Sequence, residues 1–108
     1  MANPLRYQQY SVTATAGEEI TVNALQSISG TKQTVHKIYI TPTANVDLIV
    51  FEGQTKAIDM PSVHVPSEFN AIDIDIDVDA AQTVAVGVRN NTAGTITQVI
   101  TVEYDYGT

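Results

Sequence analysis

The chain has no cysteine among its 108 residues. No disulfide can staple it, as disulfides do in many small secreted domains, so its stability has to come from packing and association. Cations are scarce. Five Lys and Arg face twelve Asp and Glu, for a formal charge of −7. The five, Arg6, Lys32, Lys37, Lys56 and Arg89, are scattered. Phosphate backbones and acidic membrane surfaces demand clustered cations, so neither nucleic acid nor a membrane is an expected partner. No apolar run approaches the roughly 20 residues of a membrane helix. The opening residues, Met-Ala-Asn-Pro-Leu-Arg-Tyr, lack the basic-then-apolar layout of a signal peptide. The expectation is a chain made in a cytoplasm and kept there, or carried out within a larger particle. Helical periodicity is missing as well.

What is present is a period of two. In residues 70–79, Ile72, Ile74, Ile76 and Val78 alternate strictly with Asp73, Asp75, Asp77 and Asp79. That is a β-strand with one apolar face and one charged face. The same alternation recurs along the chain. Strands are expected at 6–16 (Tyr10, Val12 and Ala14 on one face), 20–24 (Ile20, Val22 and Ala24 inward) and 34–41 (His36, Ile38 and Ile40 together). Others are expected at 46–52, 55–59, 83–89 (Val84, Val86 and Val88 in register) and 95–106. Turns are expected at 16–18, 53–54 and 90–94, the last because Asn and Gly tolerate positive φ. Residues 26–33 read as a loop, and 61–69, with two prolines, as a long loop or edge segment. Eight short strands with regular turn signals imply an all-β, eight-stranded antiparallel β-sandwich, jelly-roll-like, in which the first and last strands are neighbours. Neither an internal repeat nor a linker divides it, so one domain is expected over 1–108, with 1–6 as an extended arm.

The segment 46–52 is apolar on both sides, with Val46, Leu48 and Val50 opposite Ile49 and Phe51. Something must cover its second face, either the loop 61–69 or a neighbouring subunit. A cysteine-free domain of this size gains from a symmetric oligomer.

Site chemistry is sparse. The aspartate ladder opens like an EF-hand loop, but the sixth position is Val78 rather than Gly and the twelfth is Val84 rather than Glu. Carboxylates on one strand face lie about 6.6–7 Å apart, too far for neighbours to share a calcium ion without loop ligands. The ladder is a solvated face, an edge protected by charge, an ion site on the sheet surface, or a surface for a basic partner. His36 and His64 have no ligand spacing. No Gly-x-Ser-x-Gly elbow and no glycine-rich phosphate loop occur. Asn90-Asn91-Thr92 fits a glycan acceptor pattern, which means little without a secretory signal. No catalytic residue, metal or cofactor is expected, and the chain does not read as an enzyme. The tyrosines say more. Tyr7 and Tyr10 lie near the N-terminus, Tyr104 and Tyr106 near the C-terminus. Antiparallel pairing of the end strands would bring the four together as an interface, a core plug or a sugar platform. With Ile49 and Phe51 they form the candidate interface.

The intracellular start Met1-Ala2-Asn3-Pro4, the absence of cysteine, the Thr/Val/Ala-rich short strands and the lack of site motifs resemble the decoration, or cement, proteins of tailed-phage heads. The resemblance spans the whole chain as a style rather than a motif. It implies a non-enzymatic virion protein on the capsid surface, often a trimer, bound to the major capsid protein. The competing reading is a carbohydrate-binding module using its tyrosines. The missing Trp and missing secretory signal speak against it.

Overall fold

A computed structural model describes residues 5–26, 32–65, 70–78 and 83–107. Eight strands follow the alternation: β1 (Arg6–Ala14), β2 (Glu19–Gln26), β3 (Lys32–Ile40), β4 (Val46–Glu52), β5 (Thr55–Pro61), β6 (Ala71–Val78), β7 (Thr83–Asn90) and β8 (Ile96–Gly107). They form two four-stranded sheets, a front sheet ordered β1-β8-β3-β6 and a back sheet ordered β2-β7-β4-β5. Every pairing is antiparallel. The protein is an all-β sandwich. The first and last strands are neighbours, Tyr7 opposite Glu103 and Tyr10 opposite Ile100. Arg6, where the expected arm and the first expected strand meet, belongs to β1 and pairs with Tyr104.

The inner faces meet in one core of β-branched and aliphatic side chains. Val12, Ile38, Ile40, Leu48, Val50, Val84, Val86, Val88, Ile100 and Val102 are buried there. Strands suit these residues because a branched Cβ fits the pleated surface. β6 behaves as its alternation requires. Ile76 and Val78 are in the core, Ile72 and Ile74 are packed against it, and Asp73, Asp75 and Asp77 are exposed. β6 is also an edge strand, pairing only with β3, where a charged row discourages a second chain from adding on.

Several expectations are corrected. A bulge between Val35 and Lys37 shifts the register of β3 against both neighbours. Val35, rather than His36, therefore shares the inner face with Ile38 and Ile40. The turn at 90–94 uses no positive φ. The Asn90 side chain organises it instead, fully buried, donating to the carbonyls of Ala14 and Gly94 and accepting from Thr92. The turns at Gly17 and Gly53 do take positive φ, +77° and +62°. Pro61 ends β5, and a single 3-10 turn (Ser62–His64) follows. Its buried Ser62 hydroxyl donates to the Thr43 carbonyl and accepts the Thr43 amide. Val65 then enters the core between the sheets, so this segment does not cover the outer face of β4. The expected loop at 26–33 is narrower, since β2 and β3 run into it from both sides, and 27–31 lie outside the described residues.

Gly87 is the tightest point. A Cβ there would lie 1.9 Å from the Ile20 carbonyl oxygen and 2.6 Å from the Thr21 Cα. Only a residue without a side chain lets β2 approach β7 so closely. Gly87→Ala is expected to destabilise the fold by about 3 kcal/mol, because the obstacle is backbone and cannot swing away. Ile76→Asp, which buries an unpaired charge, is expected to abolish the cooperative transition. Thermal melts followed by circular dichroism check both. A Gly87→Ala melt matching wild type would show that the close approach is not obligatory.

Candidate interaction surface

The outer faces of the two sheets differ in how far the chain satisfies them itself. On the back sheet, Arg89 of β7 reaches across the strands. Its guanidinium donates to both oxygens of Asp59 on β5 (3.0 and 2.8 Å), to Asp47 on β4 (3.0 Å) and to Glu19 on β2 (2.8 Å). Lys56 adds contacts to Asp59 (3.2 Å) and Glu19 (3.4 Å), and its ammonium lies 5.5 Å from the centre of the Phe51 ring. To reach Asp59 from β7 the Arg89 side chain must cross β4, whose Ile49 pairs with both Asp59 and Gly87. Ile49 is 0% exposed in the single chain. The covering that sequence assigned to a loop or a second subunit is therefore supplied from within. Hydrogen bonds from Arg89 hold the Asp59 carboxyl below the usual carboxylate range, against a smaller opposing effect of desolvation. Its carboxylates in turn push the Arg89 guanidinium further up.

The front sheet is different. Its outer face carries Tyr7 and Ser11 of β1, Val99, Thr101, Glu103 and Asp105 of β8, Lys37 and Tyr39 of β3, and Asp73 and Asp77 of β6, by register. The exposed large hydrophobic residues among those described are Leu5 (51%), Tyr7 (56%), Val63 (52%) and Val99 (48%). Tyr7 and Val99 stand on this face, and Leu5 lines a depression in it. At its centre Glu103, only 6% exposed, accepts hydrogen bonds at Oε1 from the hydroxyls of Tyr7 (2.8 Å) and Tyr39 (3.1 Å). The two rings lie 6.4 Å apart at 56° to each other. The Glu103 hydrogen bond pushes the Tyr7 hydroxyl pKa up. Desolvation first and the same carboxylate second push Tyr39 up. Both therefore remain donors at neutral pH. His36 Nε2 lies 2.7 Å from Asp105, and its Nδ1 lies 3.9 Å from Asp75. The bulge is what brings His36 and Lys37 to the surface side by side.

Two open depressions mark the face. One, of about 530 Å³, is lined by Leu5, His36, Lys37, Asp73, Asp75 and Glu103. The other, of about 280 Å³, is lined by Tyr39, Ile40, Thr41, Asn70, Val99 and Thr101. Among the described residues, no group of three or more His, Asp or Glu is placed to hold a metal ion.

The six residues of the sequence-derived interface do not converge. Tyr7 stands on the front face. Tyr10 and Tyr104 lie on the inner side of the same sheet, where the Tyr10 hydroxyl donates to the Ala24 carbonyl (2.6 Å) and Tyr104 is 3% exposed in the core. Ile49 and Phe51 belong to the back sheet, Ile49 fully covered beneath the Arg89 cluster and Phe51 half-buried under Lys56. The Tyr106 side chain and Asp79 lie outside the described residues. Tyr104 lies in the core and Ile49 beneath the Arg89 cluster, so neighbours within the chain already cover both. Sequence reasoning missed Tyr39 and Glu103. A signal existed for Glu103, an odd-numbered residue between the core positions Val102 and Tyr104, but nothing in one strand shows that two hydroxyls from β1 and β3 meet above it.

No family model and no curated protein matches the chain by sequence. Solved structures similar in shape include the following three. A chain of the acid-stable capsid of Helicobacter pylori bacteriophage KHP30 has a TM-score of 0.51 at 14% identity, over 94% of this chain and 93% of that one. The nucleoplasmin-like N-terminal domain of Drosophila FKBP39 has a TM-score of 0.47 at 8% identity, over 94% and 91%. A Bacillus endospore appendage protein has a TM-score of 0.36 at 14% identity, over 97% and 91%. At these identities the capsid chain speaks for the fold alone, and the other two carry no argument.

The Arg89 cluster has a pH signature. A carboxyl held low in the folded state contributes stability that is present above its unfolded pKa and is lost as pH falls through the folded value. Arg89→Ala is expected to lower the melting temperature by a constant amount between pH 8 and 5. That difference should shrink as pH falls from about 4 toward 2, where Asp59 becomes protonated. A difference that persists undiminished at pH 2 would show that Arg89 acts through packing rather than charge.

Proposed function

We propose that this chain is a non-enzymatic structural protein that docks onto a larger protein assembly through the outer face of its front sheet. In its specific form it is a decoration protein on the capsid surface of a tailed phage, bound to the major capsid protein and made in the host cytoplasm. The observation that carries the reading is the gathering of Leu5, Tyr7 and Val99 on one sheet face, exposed, while the opposite face is closed by the Arg89 cluster. Tyrosine and aliphatic side chains exposed together on one face, with charge beside them, have the composition of a protein interface. The fold likeness to a chain of a phage capsid supports the same direction, as does a strand order with the end strands side by side, which suits a jelly roll. Homotrimer formation remains part of the proposal. The buried Ile49 and Tyr104 no longer argue for it, so attachment to the assembly stands first.

Binding alone suffices for such a role. A protein that binds the assembled shell but not free subunits shifts the equilibrium toward the shell. Repetition over a lattice multiplies modest contacts. A sugar platform is less well served, because the Tyr7 and Tyr39 rings are tilted rather than coplanar and both hydroxyls are committed to Glu103.

Co-sedimentation with assembled shells of the major capsid protein from the same genome, beside free subunits and a glycan array, tests the reading. The expected result is binding to shells alone. Tyr7→Ala and Val99→Ser should each weaken it roughly tenfold with little change in melting temperature, since both side chains are half exposed. Binding to glycans without binding to shells would replace this reading by the carbohydrate one.

A further inference from the structure

We infer that the outer edge of β1 pairs with β1 of a second copy of this chain, antiparallel and about a twofold axis. The edge is distinct from the front face that docks, so this contact adds to the docking reading rather than resting on it.

The sandwich has four edge strands, β1 and β6 in front, β2 and β5 behind. An edge turns backbone N–H and C=O groups outward and invites another strand unless something blunts it. Three of the four are blunted. β6 carries the exposed row Asp73, Asp75 and Asp77. β5 carries Lys56 and Asp59, shifts register against β4 between Val50 and Phe51, and ends on Pro61. β2 shifts register between Asn23 and Leu25, and the Ala24 carbonyl between them already accepts the Tyr10 hydroxyl. β1 has none of these devices. It pairs with β8 without a shift along its whole length, from Arg6 opposite Tyr104 to Ala14 opposite Ile96. It holds no proline, and Arg6 is its one charge. Among the described residues, no backbone group of 7–13 bonds outside the ladder with β8.

The distribution of charge selects the occupant. Each copy carries −7, so two copies repel over most of their surface. In the front sheet β1 is the strand farthest from the acidic row of β6, with β8 and β3 between them. A join at β1 makes one continuous sheet with the two β6 rows at its far ends. At the usual strand spacing those rows lie about 34 Å apart, against a screening length of about 8 Å at physiological salt. Antiparallel pairing also sends the two Arg6 side chains to opposite ends of the contact, whereas parallel pairing would set like charges side by side. Between them runs the uncharged stretch Tyr7-Gln8-Gln9-Tyr10-Ser11-Val12-Thr13, whose aromatic, β-branched and hydroxyl side chains suit cross-strand pairs. A ring of three would need a second open edge for β1 to meet, and the other edges are blunted. The contact is therefore isologous and closes at two copies. Antiparallel strands of one sheet are related by an axis normal to it, so both front faces look the same way. The pair presents two docking faces to one surface, where each attachment raises the effective concentration of the other.

Sedimentation velocity on the full chain tests this. The expected species is a dimer of twice 11.6 kDa. A single edge is a small interface, so the expected dissociation constant is about 10–100 µM. Gln9→Lys with Ser11→Lys puts like charges near the middle of β1, where the copies meet, and should weaken dimerisation at least roughly thirtyfold. Both side chains are exposed in the single chain, so the melting temperature of the monomer should stay unchanged. Gln9→Glu with Ser11→Glu should act in the same way. Mixing the Lys and Glu variants should restore a dimer of one of each, a result specific to β1 meeting β1. The control is Thr55→Lys with Ala57→Lys, which adds the same charge at exposed positions on the β5 edge and should leave the dissociation constant within about twofold. A wild-type chain that stays monomeric at about 500 µM, well above that constant, would overturn the inference. So would a trimer, a dimer indifferent to the Lys pair, an equal loss in the control, or Lys and Glu variants that stay monomeric when mixed. The experiment contains no shell, so its failure leaves the docking reading standing, and loss of shell binding leaves the dimer standing.

Discussion

Alternation at period two is the constraint on which everything else in this molecule rests. Each strand can give the interior only every second side chain, and the core is filled by Val, Ile and Leu at those positions. A one-residue slip would turn each strand inside out. The interior therefore locks the register, and the register decides what the two outer faces present. The functional surface is a by-product of core packing in this sense: Tyr7, Glu103 and Tyr39 meet because Gln8, Val102 and Ile38 are paired beneath them.

The interesting positions are those that depart from the alternation. The bulge at His36 places two consecutive residues on the outer face and opens the depression beside Glu103. Ile49 is apolar where a polar residue would be ordinary, and the Arg89 side chain crosses its strand. Gly87 has no side chain where one would collide with β2. Departures of this kind are where a fold gives up local consistency for something else. Those on the back sheet close a surface, and the one on the front sheet leaves a surface open.

Strand existence and type were legible in the sequence because they are local. Four aspartates between branched residues can hardly form anything but a half-buried strand, and Ile76 and Val78 lie where the pattern puts them. The bulge was not legible, because a one-residue insertion preserves the apolar composition and changes only the phase. The tyrosine cluster was misread for a related reason. Antiparallel pairing of β1 and β8 does bring Tyr7, Tyr10 and Tyr104 to one end, but odd and even positions go to opposite faces. Ile49 asked for a cover, and sequence could not show that Arg89, Asp59 and Glu19, from three other strands, would supply it.

Asn90 has a consequence for how the protein can be produced. It is the first residue of the triplet Asn90-Asn91-Thr92, and folding seals its amide against Ala14 and Gly94. In a glycosylating secretory pathway the sugar is attached while the acceptor is still accessible, at the nitrogen that here donates to both carbonyls. A glycan at that atom leaves no route to the native turn between β7 and β8, and the modified chains become a dead-end population. A eukaryotic secretion host would split this protein into two fates at a single asparagine, whereas a cytoplasm without that transferase yields one.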